Sequence, residues 1–172
     1  GLALNGMNQP QEAVGALLVA DPRTVGVVFT GSTDVATHIH RALAARGNVP
    51  LVAETGGQNA MLVDSSALPE QVVNDAITSA FNAAGQRCSA LRVLCVQEEA
   101  ADRVFEMLEG AVRELRVGNP ALLAVDVGPV IDAEAFARIQ DYCRLAEQEG
   151  RVALASDIGG LSGEGYYIGP RI

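Results

Sequence analysis

Short apolar runs alternate with longer amphipathic stretches along this chain, and the two periods predict different elements. Residues 11–20 carry Ala13, Val14, Leu17 and Leu18 at helical spacing, with Asp21-Pro22 as the stop. Residues 25–30 (VGVVFT) are apolar and rich in β-branched side chains, as suits a buried strand of a parallel sheet. Gly31-Ser32 then opens a helix to about Arg46, with Val35, Ile39, Ala42 and Leu43 as its inward face. Residues 48–53 (NVPLVA) return as a strand, completing a β-α-β unit that ends at Glu54.

The rhythm continues beyond Glu54. Residues 59–63 form another short apolar run, and Pro69 starts a helix at a favoured early position. Its inward face is Val72, Val73, Ala76, Ile77, Ala80, Phe81 and Ala84, and Gly85 is the expected stop. The strand-like run LRVLCV follows, then an amphipathic helix over 98–116 through Ala101, Val104, Phe105, Leu108, Val112 and Leu115. A loop (VGNPALLAVDVGPVI) leads to a second amphipathic helix over 132–149, with Phe136, Ile139, Tyr142, Cys143 and Ala146 inward and Gly150 as its end. A strand at 151–155, a glycine-rich loop at 159–165 and an extended segment at 166–168 complete the expected elements. Strands alternating with helices predict an α/β fold.

Composition narrows the function classes. A chain of 172 residues can bury a substantial core. A net charge of -9 with only 12 scattered Lys and Arg disfavours a nucleic-acid surface. Apolar residues never run unbroken for the roughly 18 positions that a membrane span needs, and GLALNGMNQP lacks a basic, hydrophobic leader, so a soluble chain without a targeting signal is expected. Three cysteines with no CxxC spacing argue against a disulfide framework and a zinc site, and fit a reducing, cytoplasmic compartment. His38 and His40 stand two apart on a predicted helix, where one metal-binding face would need a spacing of three or four; no metal is expected.

Three positions carry candidate chemistry, each with a plain structural alternative. The Gly31-Ser32 turn between strand and helix suits an anion, because free backbone N–H groups and the helix dipole point at it. Ser32 or Thr33 could equally be an ordinary cap, and GSTDVA does not satisfy the GxGxxG fingerprint. Glu54, at the carboxyl end of a strand and followed by Thr55, Gly56 and Gly57, lies where open α/β sheets place ligands; a solvated loop acid is the alternative. Free cysteines are commonly small core residues, which fits Cys95 and Cys143. Cys88 fits that reading poorly, because it follows a helix-ending glycine and stands beside Arg87, and a cationic neighbour favours a thiolate.

The order FTGS, ETGGQN, GQRCSALRV, with acid and thiol 34 positions apart, resembles the aldehyde dehydrogenase superfamily over essentially the whole chain. AETGGQNAMLVDSSALPEQVV and SAFNAAGQRCSALRVL are most similar to its Δ1-pyrroline-5-carboxylate dehydrogenase branch. The resemblance implies a three-layer α/β/α architecture, with residues 1–55 the end of a Rossmann-like NAD-binding domain and 56–172 the start of a catalytic domain. It implies that Cys88 is the nucleophile and Glu54 the base that activates water, with Gly31, Ser32, Thr55 and Gly56 along the cofactor and Arg87 and Ser89 beside the substrate. The expected cofactor is NAD and the expected reaction is oxidation of L-glutamate γ-semialdehyde to L-glutamate, in a homo-oligomeric parent that other domains could hold at a membrane. Alternatives are a dehydrogenase for another aldehyde, such as succinate semialdehyde, or a non-catalytic α/β fragment.

The pattern departs from the family at Ala36, where many members have a second glycine. An oxyanion-holding asparagine, the first cofactor-binding β-α units and a ribose-binding lysine are expected upstream of Gly1. An acidic ribose ligand, much of the substrate pocket and an oligomerisation strand are expected downstream of Ile172. The isolated chain is therefore expected not to turn over.

Overall fold

The computed structural model describes residues 11–172, with side chains from Val14 onward; the N-terminal decapeptide and the Ala13 side chain lie outside the described residues. In chain order the elements are α1 (Gln11–Ala20), β1 (Val27–Gly31), α2 (Thr33–Ala44), β2 (Leu51–Thr55), β3 (Ala60–Val63), α3 (Pro69–Phe81), β4 (Val93–Val96), α4 (Glu98–Glu114) and α5 (Ala133–Gln148). They divide into two compact units, Gly1–Gly57 and Gln58–Ile172.

In the first unit β1 and β2 pair in parallel, in register from Val27 opposite Leu51 to Gly31 opposite Thr55, with α2 as the connection. Both strands lie one to three residues later than the apolar runs suggest. Val25 stays outside the strand and 83% exposed, while β2 continues through Glu54 to Thr55. Helix α2 turns in a narrow stripe of Ala36, Ile39 and Leu43, leaving the expected Val35 and Ala42 exposed. A two-stranded sheet offers too little surface to cover a wider stripe. Leu17 and Leu18 of α1, expected inside, are likewise exposed. The Arg46 guanidinium closes the unit by donating to the carbonyls of Val19 at 2.5 Å and Thr24 at 2.9 Å.

In the second unit β3 and β4 are also parallel, with Ala60 opposite Val93 and Leu62 opposite Cys95. One face turns Met61, Val63, Leu94 and Val96 toward a core that includes Val72, Val73 and Ala76 of α3 and Val104, Leu108 and Val112 of α4. The other face exposes Ala60, Leu62, Val93 and Cys95. This strict alternation corrects the expectation that Cys95 is a core residue. A continuous apolar run suggests burial on both faces, but helices cover only one. Phe105 and Tyr142 are exposed for the same reason, since each sits at the margin of a helix stripe that lacks a facing layer. The strand expected at 151–155 is reduced to a bridge between Ala155 and Arg171, with Leu154 and Ile172 exchanging backbone hydrogen bonds. The segment at 166–168 pairs with no strand; the Tyr166 carbonyl accepts from the Val130 N–H instead.

Helix α3 stops at Phe81, short of the expected Gly85. A tight turn, Asn82–Gly85, follows, in which Ala83, Ala84 and Gly85 all adopt left-handed backbone, with φ of 54°, 53° and 66°. At Gly85 a Cβ would also lie 2.7 Å from the Ala80 carbonyl oxygen. Alanine there meets both penalties, so Gly85→Ala should cost about 2 kcal/mol or more in urea unfolding. At Ala83 glycine relieves strain at the expense of chain entropy, and Ala83→Gly should stabilise by about 0.5–1 kcal/mol.

The loop entering α3 carries a pH signature. Asp64 Oδ1 accepts from the Ser66 hydroxyl and N–H, which hold this carboxyl below its ordinary range. The bonds therefore contribute stability above the ordinary carboxylate pKa, and that contribution is lost as pH falls through the lowered value. Acid unfolding should show a shallower low-pH decline in Asp64→Asn than in the parent sequence.

Candidate active site

The first unit gathers its candidate residues through the parallel register alone. Because both strands run the same way, the Gly31-Ser32 turn after β1 and the Thr55-Gly56 turn after β2 meet at one carboxyl edge, with Gly31 opposite Thr55 and Thr30 opposite Glu54. Glu54 shares a sheet face with Val28 and Val52, both exposed, and its own side chain is exposed. Ser32 caps α2: its Oγ accepts the Val35 N–H at 3.2 Å. The N–H groups of Thr33 and Asp34 have no hydrogen-bond partner among the described residues. Cap and anion site are thus compatible, since the hydroxyl occupies one donor and leaves two. A Cβ at Gly56 would meet nothing within 4 Å, so the backbone there is open to close approach.

The second unit builds the cysteine loop from several separate sources. Arg87 to Ala90 is a turn closed by the Ala90 N–H donating to the Arg87 carbonyl at 3.1 Å. Asn59, just before β3, donates its side-chain amide to the carbonyls of Cys88 at 2.7 Å and Ala90 at 2.9 Å. Its own carbonyl accepts from the N–H groups of Arg92 and Val93. Ser79 Oγ accepts the Leu91 N–H, and Arg92 donates to the Gly85 carbonyl at 2.7 Å. Gln86 accepts the Ile131 N–H at 2.8 Å, tying in the segment before α5. Arg87 donates to the Thr78 carbonyl at 3.0 Å, so part of its guanidinium caps the end of α3.

Cys88 and Ser89 are left exposed by this scaffold. Among the described residues, their backbone N–H groups have no partner. An accessible thiol beside free N–H donors is an arrangement able to attack a carbonyl and steady the oxyanion that results. No cluster of three or more potential metal ligands occurs among the described residues. The scaffold residues Asn59, Gln86 and Arg92 were not evident from chain pattern. The one available hint is Asn59, a polar side chain heading an otherwise apolar run.

The chain matches the aldehyde dehydrogenase family over residues 2–172. It belongs to that family. It is 57% identical to the bifunctional protein PutA of Escherichia coli over 145 residues, which is 81% of this chain and 11% of that protein. It is 36% identical to the 1-pyrroline-5-carboxylate dehydrogenase of Geobacillus kaustophilus, over 92% of this chain and 32% of that enzyme. Among solved structures, proline utilization A from Bradyrhizobium japonicum superposes with a TM-score of 0.87 at 51% identity, covering 94% of this chain and 16% of that one. A betaine aldehyde dehydrogenase from Staphylococcus aureus, solved in complex with NAD+, superposes with a TM-score of 0.85 at 27% identity, over 92% of this chain and 32% of that one. The α/β architecture with parallel strands is thus that of aldehyde dehydrogenases, and the chain spans a third or less of these relatives. No helix among the described residues is long and apolar enough to cross a membrane.

The cap at Ser32 yields a direct test. Ser32→Ala should lower the stability of the first unit by about 1 kcal/mol and Ser32→Gly by only a few tenths, read from denaturant unfolding.

Proposed function

We propose that this chain is the central segment of an NAD-dependent dehydrogenase that oxidises L-glutamate γ-semialdehyde, the open form of Δ1-pyrroline-5-carboxylate, to L-glutamate. The observation that carries the reading is the exposed Cys88 thiol on a built loop with free N–H groups, in a chain 57% identical to a PutA protein. Residues up to Thr55 serve as the end of the cofactor domain, and those beyond it as the start of the catalytic domain, within a three-layer α/β/α assembly.

The first unit offers a fit for NAD. The open N–H groups of Thr33 and Asp34 and the α2 dipole suit a pyrophosphate at Gly31-Ser32, while Thr55 and the unobstructed Gly56 suit a flat ring passing the sheet edge. In the reaction, the Cys88 thiolate adds to the aldehyde carbon, forming a C–S bond, and the N–H groups of Cys88 and Ser89 donate to the new oxyanion. NAD, when bound, supplies the acceptor for the hydride whose loss from that carbon leaves a thioester on Cys88. Glu54 then takes a proton from water as the water oxygen attacks the thioester carbon; the C–S bond breaks, and L-glutamate and the thiol are released. Ser89, exposed beside the thiol, and the guanidinium nitrogens of Arg87 not engaged by α3 provide polar contacts for the substrate's charged end. Unpaired cysteines suit a cytoplasmic setting.

The test uses a polypeptide that carries this chain within the length of its relatives. NADH should form with L-glutamate γ-semialdehyde and more slowly across a panel that includes succinate semialdehyde. Cys88→Ala should reduce turnover by roughly 10⁴-fold or more. Glu54→Gln should keep one rapid equivalent of NADH while steady turnover falls about 10²–10⁴-fold. Normal turnover in Cys88→Ala would sink the assignment.

A further inference from the structure

We propose that Asn59 is the positioning residue of the nucleophile loop: its side-chain amide sets the peptide plane between Cys88 and Ser89. This rests on Cys88 being the nucleophile. Both hydrogens of the Asn59 amide are used, one on the Cys88 carbonyl at 2.7 Å and one on the Ala90 carbonyl at 2.9 Å. A single nitrogen that holds two carbonyls, from residues two apart, bends the intervening backbone around itself. In a trans peptide the C=O and the following N–H point in opposite directions. Fixing the Cys88 carbonyl toward Asn59 therefore directs the Ser89 N–H away from it, and that N–H has no other partner among the described residues.

The division of labour within Asn59 makes this role separable from folding. Its backbone carbonyl holds the start of β4 through Arg92 and Val93, at 2.9 and 3.0 Å. Those bonds survive any side-chain substitution, so removing the amide should free the cysteine loop and leave the β3/β4 pairing in place. Ala90, fully buried, and the Arg92 bond to Gly85 keep the rest of the segment anchored.

The experiment takes the parent-length polypeptide through a series with two, one and no donors at this position: Asn59, Asn59→Ser and Asn59→Ala. Hydrogen exchange is read separately for residues 86–92 and for the strands at 60–63 and 93–96. The NADH burst, which reports the Cys88 step, is read against steady turnover, which reports thioester hydrolysis. The burst should slow in order, by about 10-fold for Asn59→Ser and about 100-fold for Asn59→Ala, the size expected of a misplacement near 1 Å. Steady turnover should fall in the same order, because thioester hydrolysis passes through an oxyanion at the same carbon. Protection at 86–92 should fall while that of the strands holds. Unchanged protection at 86–92 in Asn59→Ala overturns the proposal. Equal loss in loop and strands, or failure of both variants to fold, also overturns it, because Asn59 is then a general folding residue. If the unsubstituted polypeptide makes no NADH, the dehydrogenase reading fails, while the exchange pattern still decides whether Asn59 holds the loop.

Discussion

Parallel strand pairing is the constraint on which the candidate site depends. Strands that run the same way must bring like ends together, so each pair has one edge where two carboxyl ends meet and one where two amino ends meet. The first pair uses its carboxyl edge, setting the Gly31-Ser32 turn beside Glu54, Thr55 and Gly56. The second uses its amino edge, where Ala60 faces Val93, so that Asn59 lies next to the segment that carries Cys88. No long-range electrostatic device is needed to explain why these groups occupy edges; the direction of the strands suffices.

Polar chemistry is supported by backbone bonds more than by charge pairing. Ion pairs among the described residues lie at the surface, such as Arg103 with Glu70, both exposed, and pairs of this kind contribute little. The bonds that matter to the cysteine loop run from side-chain amides, hydroxyls and guanidinium groups to main-chain atoms. Asn59, Ser79, Gln86, Arg87 and Arg92 all act this way. Such bonds fix carbonyls and N–H groups in space, which is what a loop needs when its exposed thiol must have a direction.

Much of this was legible from periodicity, and the failures have physical causes. The order of strands and helices follows from apolar runs and helical stripes; the strand-to-helix turn offered Ser32 or Thr33 as a cap, and Ser32 takes that place. Cys95 was misjudged because an apolar run does not reveal whether one or both faces of a sheet are covered; with helices on one side only, alternate residues emerge. The end of α3 was misplaced because Ala83 and Ala84 favour helix locally, and tertiary bonds around Gln86 and Arg92 hold them left-handed instead. Asn59 escaped notice because its partners lie some thirty residues away, beyond any local pattern.

That separation bears on how the chain folds. The loop around Cys88 closes through contacts spanning 29 residues to Asn59 and 45 from Gln86 to Ile131. Loop-closure entropy must be met before such contacts form, so they lag behind the local turns of α3 and α4. During synthesis, Cys88 leaves the ribosome well before Ile131 is available to Gln86. In that interval the loop has Asn59 and Ser79 within reach but lacks the bond from Ile131 to Gln86.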